Sequence, residues 1–450
     1  MTLPPKPPHR PDKVSVWRHF RLFREDILSS QPEKLYRAWM AEYKTPFFRS
    51  FLVNDPDLID TVLKQRPEDF PKSERVSVGL RPLLGNSVFV TNGETWKRQR
   101  RIIDPAFEGG RLRSVFPAIL DAAEAAIERL GPIANGQPID IEPITSHVAA
   151  DVIFRSLFSI PIEDELAAQT FEAFRAHQRS QPIINLSAFI RGPSWMPKLF
   201  RKESTDTAKK IRDLIAELVH RRALEIEQGC APDDLATKIM TLKDPETNVG
   251  FSKEEMVDQV AIFFLAGHET SAAALSWALY LLALSPKWQA NVKQEAHTFS
   301  NEFSDLAKLT NTRNVFRETL RLYPPVPMMV REASAPAVFR NRTVSTGSQI
   351  VVSPWHLHRH GRLWTDPDAF LPDRWTTEPC QRQSKAAYLP FSAGPRVCTG
   401  AGFAMMEGVL LLSKMIGAFT FDVDPQKVPI PVAQLTVRSK DGIFLKIKPN

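Results

Sequence analysis

Three of the 450 residues are cysteines, Cys230, Cys380 and Cys398, and the last sits where a thiol can do chemistry. It belongs to FSAGPRVCTG, residues 391–400, between a strand-like run and the apolar helical pattern GAGFAMMEGVLLLSKMIGAF. At a helix start the macrodipole and the free N–H groups favour a thiolate over a thiol. Gly394 and Gly400 permit backbone angles or close approaches that a side chain would block. Ala401, Gly402 and Met405 follow the cysteine at helical spacings, and two of them are small, leaving room for something flat beside the sulfur. Arg396 adds a cation within reach of an anionic group. Taken by itself, Cys398 is equally compatible with a small buried hydrophobe.

Other residue pairs carry weaker signals. AGHETS, residues 266–271, interrupts a long apolar helix. Phe263, Ala266, Gly267 and Thr270 share one face by helical spacing, small in the middle and polar at one end. Thr270 either bonds to its own i−4 carbonyl or leaves that turn loosened for water. Glu269 beside it is a carboxylate in an apolar setting, and His268 is read as neither ligand nor catalyst. Trp96 and Arg100 stand at i, i+4 in GETWKRQRRIIDPAF, one helical face with an indole N–H and a guanidinium fork. Glu318 and Arg321, at i, i+3, can pair, although most such pairs are ordinary surface contacts.

The elements that must position these residues are mostly helical. Helical periodicity dominates from about Trp96 to Leu322, as in RLRSVFPAILDAAEAAIERL and SKEEMVDQVAIFFLAGHETSAAALSWALYLLAL. Short β-rich pieces occur early (PFFRSFLVND) and late (GSQIVVSPW, GIFLKIKP). Between Trp355 and Pro390 lies a proline- and aspartate-rich connection with little periodicity, expected to be pinned by specific contacts. Thirty-seven prolines accompanied throughout by apolar residues imply long irregular connections rather than disorder. The odd, sparse cysteine set without a C-x-x-C pair argues against a disulfide framework or a structural zinc site, and for a reducing compartment. A net charge of +7 with no lysine–arginine block gives no support to nucleic-acid binding. The basic, proline-rich start reads as neither signal peptide nor membrane anchor. The apolar stretch from Val260 to Leu284, with Glu269 in its middle, reads as a buried helix rather than a membrane span.

Phe391, Gly394, Arg396, Cys398 and Gly400 form F-x-x-G-x-R-x-C-x-G, which resembles the proximal signature of the haem-thiolate family, the cytochromes P-450. Four further matches follow the family's order. They are W-x-x-x-R at Trp96 and Arg100, A/G-G-x-E/D-T at residues 266–270, E-x-x-R at Glu318 and Arg321, and FLPDRW with Arg374. The resemblance covers the chain after about Pro32. It implies a mainly α fold, a helix-rich triangular haem prism with a minor β region, in one domain over 32–450 after a proline-rich segment, 1–31.

The resemblance further implies that Cys398 is the axial ligand of haem b and the metal ligand of the site. Phe391 packs near the sulfur, and Trp96, Arg100, Arg331 and Arg396 hold the haem propionates. Ala266, Gly267 and Gly400 border the cofactor, and Thr270 and Glu269 deliver protons to dioxygen through ordered water. Glu318, Arg321 and Arg374 become a buried structural triad. Thr399 departs from the family, which usually has an apolar residue there, and brings a hydroxyl near the sulfur. The implied reaction is monooxygenation with O2 as co-substrate, fed by a separate ferredoxin or flavodoxin and its NAD(P)H-dependent reductase. The expected enzyme is a cytoplasmic, bacterial-type monomer. Lys97, Arg98 and Arg101 are a candidate dock for an acidic electron donor. Relatives that use peroxide or rearrange oxygenated lipids commonly lose the acid–alcohol pair kept here as Glu269-Thr270, and the pair also argues against a haem sensor. By the same resemblance, substrate contacts come from a loop at Val76–Leu84, from Phe263 and Ala266, from Val326 to Met329 and from Gln434 to Thr436. These mostly apolar residues suit a fatty acid, terpenoid or steroid, with no charged residue to anchor a carboxylate.

Overall fold

The computed structural model describes residues 2–44, 48–108, 110–180, 201–433 and 435–450. Nine helices position the site: α1 (Glu74–Leu84), α2 (Gly93–Phe107), α3 (Arg111–Leu130), α4 (Glu142–Phe158), α5 (Glu165–Ser180), α6 (Lys202–Glu227), α7 (Lys253–Ala283), α8 (Thr310–Leu322) and α9 (Ala401–Ala418). Six strands matter here: β1 (Met40–Lys44), β2 (Arg49–Val53), β3 (Met329–Glu332), β4 (Gln349–Val352), β5 (Pro431–Ala433) and β6 (Val437–Ser439).

α7 is the axle of the molecule. Its start is fixed by a capping box, in which the Ser252 hydroxyl accepts from the Glu255 N–H and the Glu255 carboxylate accepts from the Ser252 N–H. Downstream it is apolar nearly all round, which requires burial on every side. It packs against α4, α6, α8 and α9. The main core includes Trp277, Leu281 and Leu282 from α7, Leu410 to Leu412 from α9, and Ile119 and Ala123 from α3. α9 is the one helix, among the described residues, long and apolar enough to cross a membrane, and most of it is buried against these neighbours.

A mixed sheet runs in the order β1-β2-β4-β3, with β2 parallel to β4 and the other pairs antiparallel. β3 places Arg331 opposite Ile350, and an isolated antiparallel bridge joins Arg331 to Lys72. The proline-rich start lies on the body: the Tyr323 hydroxyl donates to the Pro5 carbonyl at 2.7 Å, and Lys6 pairs with Asp368.

Two local expectations need correction. Val76–Leu84 is a helix, not a loop. Its Gly79, Pro82 and β-branched residues hide the helical signal, and contacts made from outside replace intrinsic propensity. Arg212 donates to the Leu83 carbonyl, and Asp258 accepts from the Asn86 N–H just beyond the end. The connection from Trp355 to Pro390 also holds regular pieces, including a helix at Glu378–Ala387 that buries Cys380 in a second core cluster.

Candidate active site

One cavity of about 1090 Å³ lies between α7, α2, β3 and the segment preceding α9. Every residue singled out from the sequence as a site residue lines it: Trp96, Arg100, Ala266, Gly267, Glu269, Thr270, Arg331, Phe391, Arg396, Cys398 and Gly400. Of the three cysteines only Cys398 does; Cys230 is on the outer surface and Cys380 is buried elsewhere.

The turn that presents Cys398 is held by backbone. The Cys398 N–H donates to the Phe391 carbonyl at 2.9 Å, closing the loop on itself. Gly394 has φ +71°, and a Cβ there would be driven into the Leu63 carbonyl, so this glycine is required twice over. Gly400, with φ −83°, needs no special backbone, and a Cβ there would meet no protein atom within 4 Å. The surface of Cys398 opens on the cavity while the sulfur lies deep in the molecule. Burial pushes its thiol up, against the Gly400 N–H and the cations of Arg100 and Lys72. The Gly400 N–H at the helix start favours the thiolate, as the position suggests, and works against the cost of burial. A coordinated metal cation is what deprotonates such a thiol. The Thr399 hydroxyl donates to Asp104 at 3.4 Å.

Four cations gather around this part of the cavity. Arg331 is buried, and the only hydrogen bond of its guanidinium among the described residues is to the neighbouring Val330 carbonyl. Arg396 stacks over the Trp96 ring at 4.1 Å and donates to the Thr91 carbonyl and to Asn92. Arg100 donates to Asp104 and to the Val397 carbonyl. Lys72, which no sequence motif flagged, donates to the Phe89 carbonyl at 2.7 Å. Burial lowers Arg331 to about 10 and, with Arg331 and Arg100, lowers Arg396 to about 9. Lys72 is held well below the ordinary lysine range by burial and then by Arg331, Arg396 and Arg100. Like charges crowded in a low-dielectric space are costly unless an anion sits among them. A thiol and four cations lining one largely apolar cavity fit a porphyrin with two carboxylates.

On α7, Thr270 takes the first of the two arrangements open to it. The helix is unbroken through this region, and the Thr270 hydroxyl donates to the Ala266 carbonyl at 2.6 Å. A Cβ on Gly267 would strike the Ile153 side chain, so its smallness serves the contact with α4. Glu269 is buried and accepts from Gln178 on α5, while Arg438 on β6 lies 3.2 Å away. Burial pushes its carboxyl up, opposed by Arg438, Gln178 and Thr436. His268 is buried against Ser146 and lowered to about 3 by burial, hence neutral.

Glu407 on α9 was not anticipated. It is buried, lines the cavity and accepts from the Ser271 hydroxyl at 2.5 Å, while its second oxygen has no partner among the described residues. Burial pushes it from 4.5 up to about 8, a neutral acid at physiological pH. A carboxyl whose folded value is raised stabilises the fold at low pH. That stability is lost as pH rises from the ordinary carboxyl range through about 8, at roughly 1.4 kcal/mol per pH unit. Glu407→Gln keeps the shape and the neutrality. Its denaturant midpoint is expected to fall less than that of the wild type between about pH 6 and 8. Parallel curves for the two proteins would show that this carboxyl does not titrate there.

The cluster of Lys97, Arg98 and Arg101 is corrected by its partners. Lys97 pairs with Glu68 and Glu94, Arg98 with Glu255, and Arg101 with Asp244 and Glu246. Its charge is largely neutralised within the chain, which leaves little to attract an acidic donor.

The fold and this cavity define a helical protein whose cysteine and cations suit an anionic cofactor. Residues 15–448 match the family model described as Cytochrome P450, and the chain belongs to that family. It is 27% identical over 429 residues to a cytokinin hydroxylase of Arabidopsis thaliana, spanning 92% of this chain and 83% of the relative. It is 30% identical to cyclooctat-9-en-7-ol 5-monooxygenase of Streptomyces melanosporofaciens, spanning 81% and 78%. A third relative, 11-oxo-beta-amyrin 30-oxidase of Glycyrrhiza uralensis, is 27% identical over 87% of this chain and 77% of its own length. The protein is accordingly a monooxygenase of the cytochrome P-450 family, which carries haem with a cysteine thiolate ligand and uses O2 as co-substrate.

Proposed function

We propose that the chain, as a single haem domain over 32–450, inserts one oxygen atom into a lipophilic small molecule, with Cys398 as the thiolate ligand. The observation that carries this reading is the placement of Cys398, four cations and the Glu269-Thr270 pair around one cavity. When bound, haem supplies the activation of dioxygen and the two-electron oxidation of substrate, and thiolate ligation favours O–O cleavage. Lys72, Trp96, Arg100, Arg331 and Arg396 would hold its carboxylates. Phe391 and Gly400 border the sulfur, and Ala266 offers the small surface on α7.

Leu80, Val88, Phe107, Phe263, Val326, Met328, Met329 and Leu435 line the rest of the cavity and exclude water from an apolar substrate. Gln434 lies outside the described residues. Charged side chains line the wall too, Arg24 and Arg75 among them, so a substrate with one acidic end is compatible with this cavity. The relatives named for cyclooctatenol and amyrin derivatives favour terpenoids within the lipophilic class. Electrons are assigned to a separate ferredoxin or flavodoxin with its NAD(P)H-dependent reductase, and the enzyme to a cytoplasmic monomer, both on the family resemblance. Its donor would dock without relying on net charge at Lys97, Arg98 and Arg101.

Thr270 and Glu269 hold and move the protons that the reaction consumes. Thr270→Ala is expected to keep haem and its carbon monoxide spectrum while product formed per NAD(P)H falls at least about ten-fold, the electrons leaving as hydrogen peroxide or water. Unchanged coupling in this variant would remove Thr270 from proton delivery.

A further inference from the structure

We propose that Arg438 is a positioning residue for Glu269, and that through it the β5–β6 hairpin sets when the buried acid is charged. The inference rests on the proton-delivery reading given above. Among the described residues, each contact that holds the Glu269 carboxyl comes from outside its own helix. Gln178 on α5 donates to Oε1, and Arg438 Nη2 stands 3.2 Å from the same oxygen. Arg438 Nε donates in turn to the Thr436 hydroxyl at 3.3 Å.

The burial of the two partners is unequal. The Glu269 side chain is 5% exposed, that of Arg438 44%. The guanidinium thus connects a buried carboxyl to solvent, and it supplies the countercharge when that carboxyl gives up its proton. Two residues before Arg438, Thr436 lines the cavity together with Leu435. The Val437 N–H anchors this strand to the Pro325 carbonyl. A molecule pressing on Leu435 and Thr436 therefore acts on the segment that carries Arg438.

The surrounding charges leave Arg438 as the main control. His268 on α7 and His177 on α5 are neutral, lowered by burial to about 3 and about 4. Glu142 on α4 accepts from the Ser439 N–H, and its carboxyl is pushed up by burial. Arg175 on α5 reaches His268 electrostatically but forms its own pair with Glu172. Removing the Arg438 charge leaves Glu269 with the Gln178 and Thr436 hydrogen bonds and, among the described residues, no cation beside it.

The test uses the ferric holoenzyme, with folding checked by its carbon monoxide spectrum after reduction. Protonation of Glu269 is followed by the carboxyl stretching band in pH-difference infrared spectra, assigned by its loss in Glu269→Gln. In Arg438→Gln the midpoint of that band is expected to rise by at least about half a pH unit, and in Arg438→Lys to return toward the wild type. The reduced holoenzyme is then mixed with dioxygen-saturated buffer, and its reoxidation rate is followed against pH. That profile is expected to move with the infrared midpoint, and Arg438→Gln is expected to add nothing in a Glu269→Gln background. An infrared midpoint untouched by Arg438→Gln overturns this inference alone. A reoxidation profile untouched by Glu269→Gln overturns the proton-delivery reading beneath it.

Discussion

Replacing Cys398 by serine is expected to erase the red-shifted absorption of the reduced, carbon monoxide-bound holoenzyme. Serine preserves volume and leaves the backbone bond from residue 398 to the Phe391 carbonyl in place. What it removes is the soft, electron-releasing donor on which thiolate spectra and O–O cleavage depend. Haem is still expected to bind, weakly, because Lys72, Arg331, Arg396 and Arg100 remain. Product formation is expected to fall by at least about a hundred-fold. Cys230→Ser and Cys380→Ser serve as controls: the first is exposed and remote, the second packed in another core cluster, and neither lines the cavity. Survival of the red-shifted band in Cys398→Ser, or its loss in either control, would place the ligand elsewhere.

The parts of the site that could be read from sequence are those carried by short spacings. F-x-x-G-x-R-x-C-x-G lies within one turn and a helix start, and W-x-x-x-R on one helical face. The long helix was legible because its apolar run exceeds what any half-exposed helix needs. What escaped is chemistry assembled across distant segments. Lys72 reaches the cations through a bridge to Arg331, a pairing that no periodicity announces. Arg438 meets Glu269 only because the late hairpin folds back over α7. Glu407 left one faint sign, a lone acidic residue inside the apolar run of α9, but its partner Ser271 lies on another helix. The basic cluster on α2 misled for the converse reason: four of its five neutralising carboxylates, Glu68, Asp244, Glu246 and Glu255, lie outside that helix. The helix at Glu74–Leu84 was missed because tertiary contacts override its weak propensity.

Breaking the Glu318 triad is expected to give the largest loss of stability. Glu318 and Arg321 are fully buried, and no polar group on either is wasted. Glu318 Oε1 accepts from Arg321, Arg374 and the Leu371 N–H, and Oε2 from Arg321 and the Trp375 indole. The remaining Arg321 donors go to the carbonyls of His358, Pro367 and Ala369. Those carbonyls belong to the irregular connection between β4 and the cysteine turn, so one guanidinium pins its first half to α8. Burial pushes the Glu318 carboxyl up, but Arg321, Arg374 and the Leu371 N–H outweigh it and hold the group below the ordinary carboxylate range. The stability it gives is therefore present above the unfolded carboxyl value and lost as pH falls through the folded one. Glu318→Gln leaves two arginines facing a neutral amide, one of them with no access to water. The expected cost is about 3–5 kcal/mol, since breaking a buried pair leaves an uncompensated charge. Arg321→Lys keeps the charge but cannot serve three carbonyls and a carboxylate together, so it is expected to fall in the same range. Both variants should release haem at lower denaturant than the wild type, because the connection they loosen leads into the cysteine turn. Combining them should cost less than the sum of the single losses, as expected for residues that share one network. A Glu318→Gln protein within about 1 kcal/mol of the wild type would show that the backbone of the connection, rather than this triad, holds the turn in place.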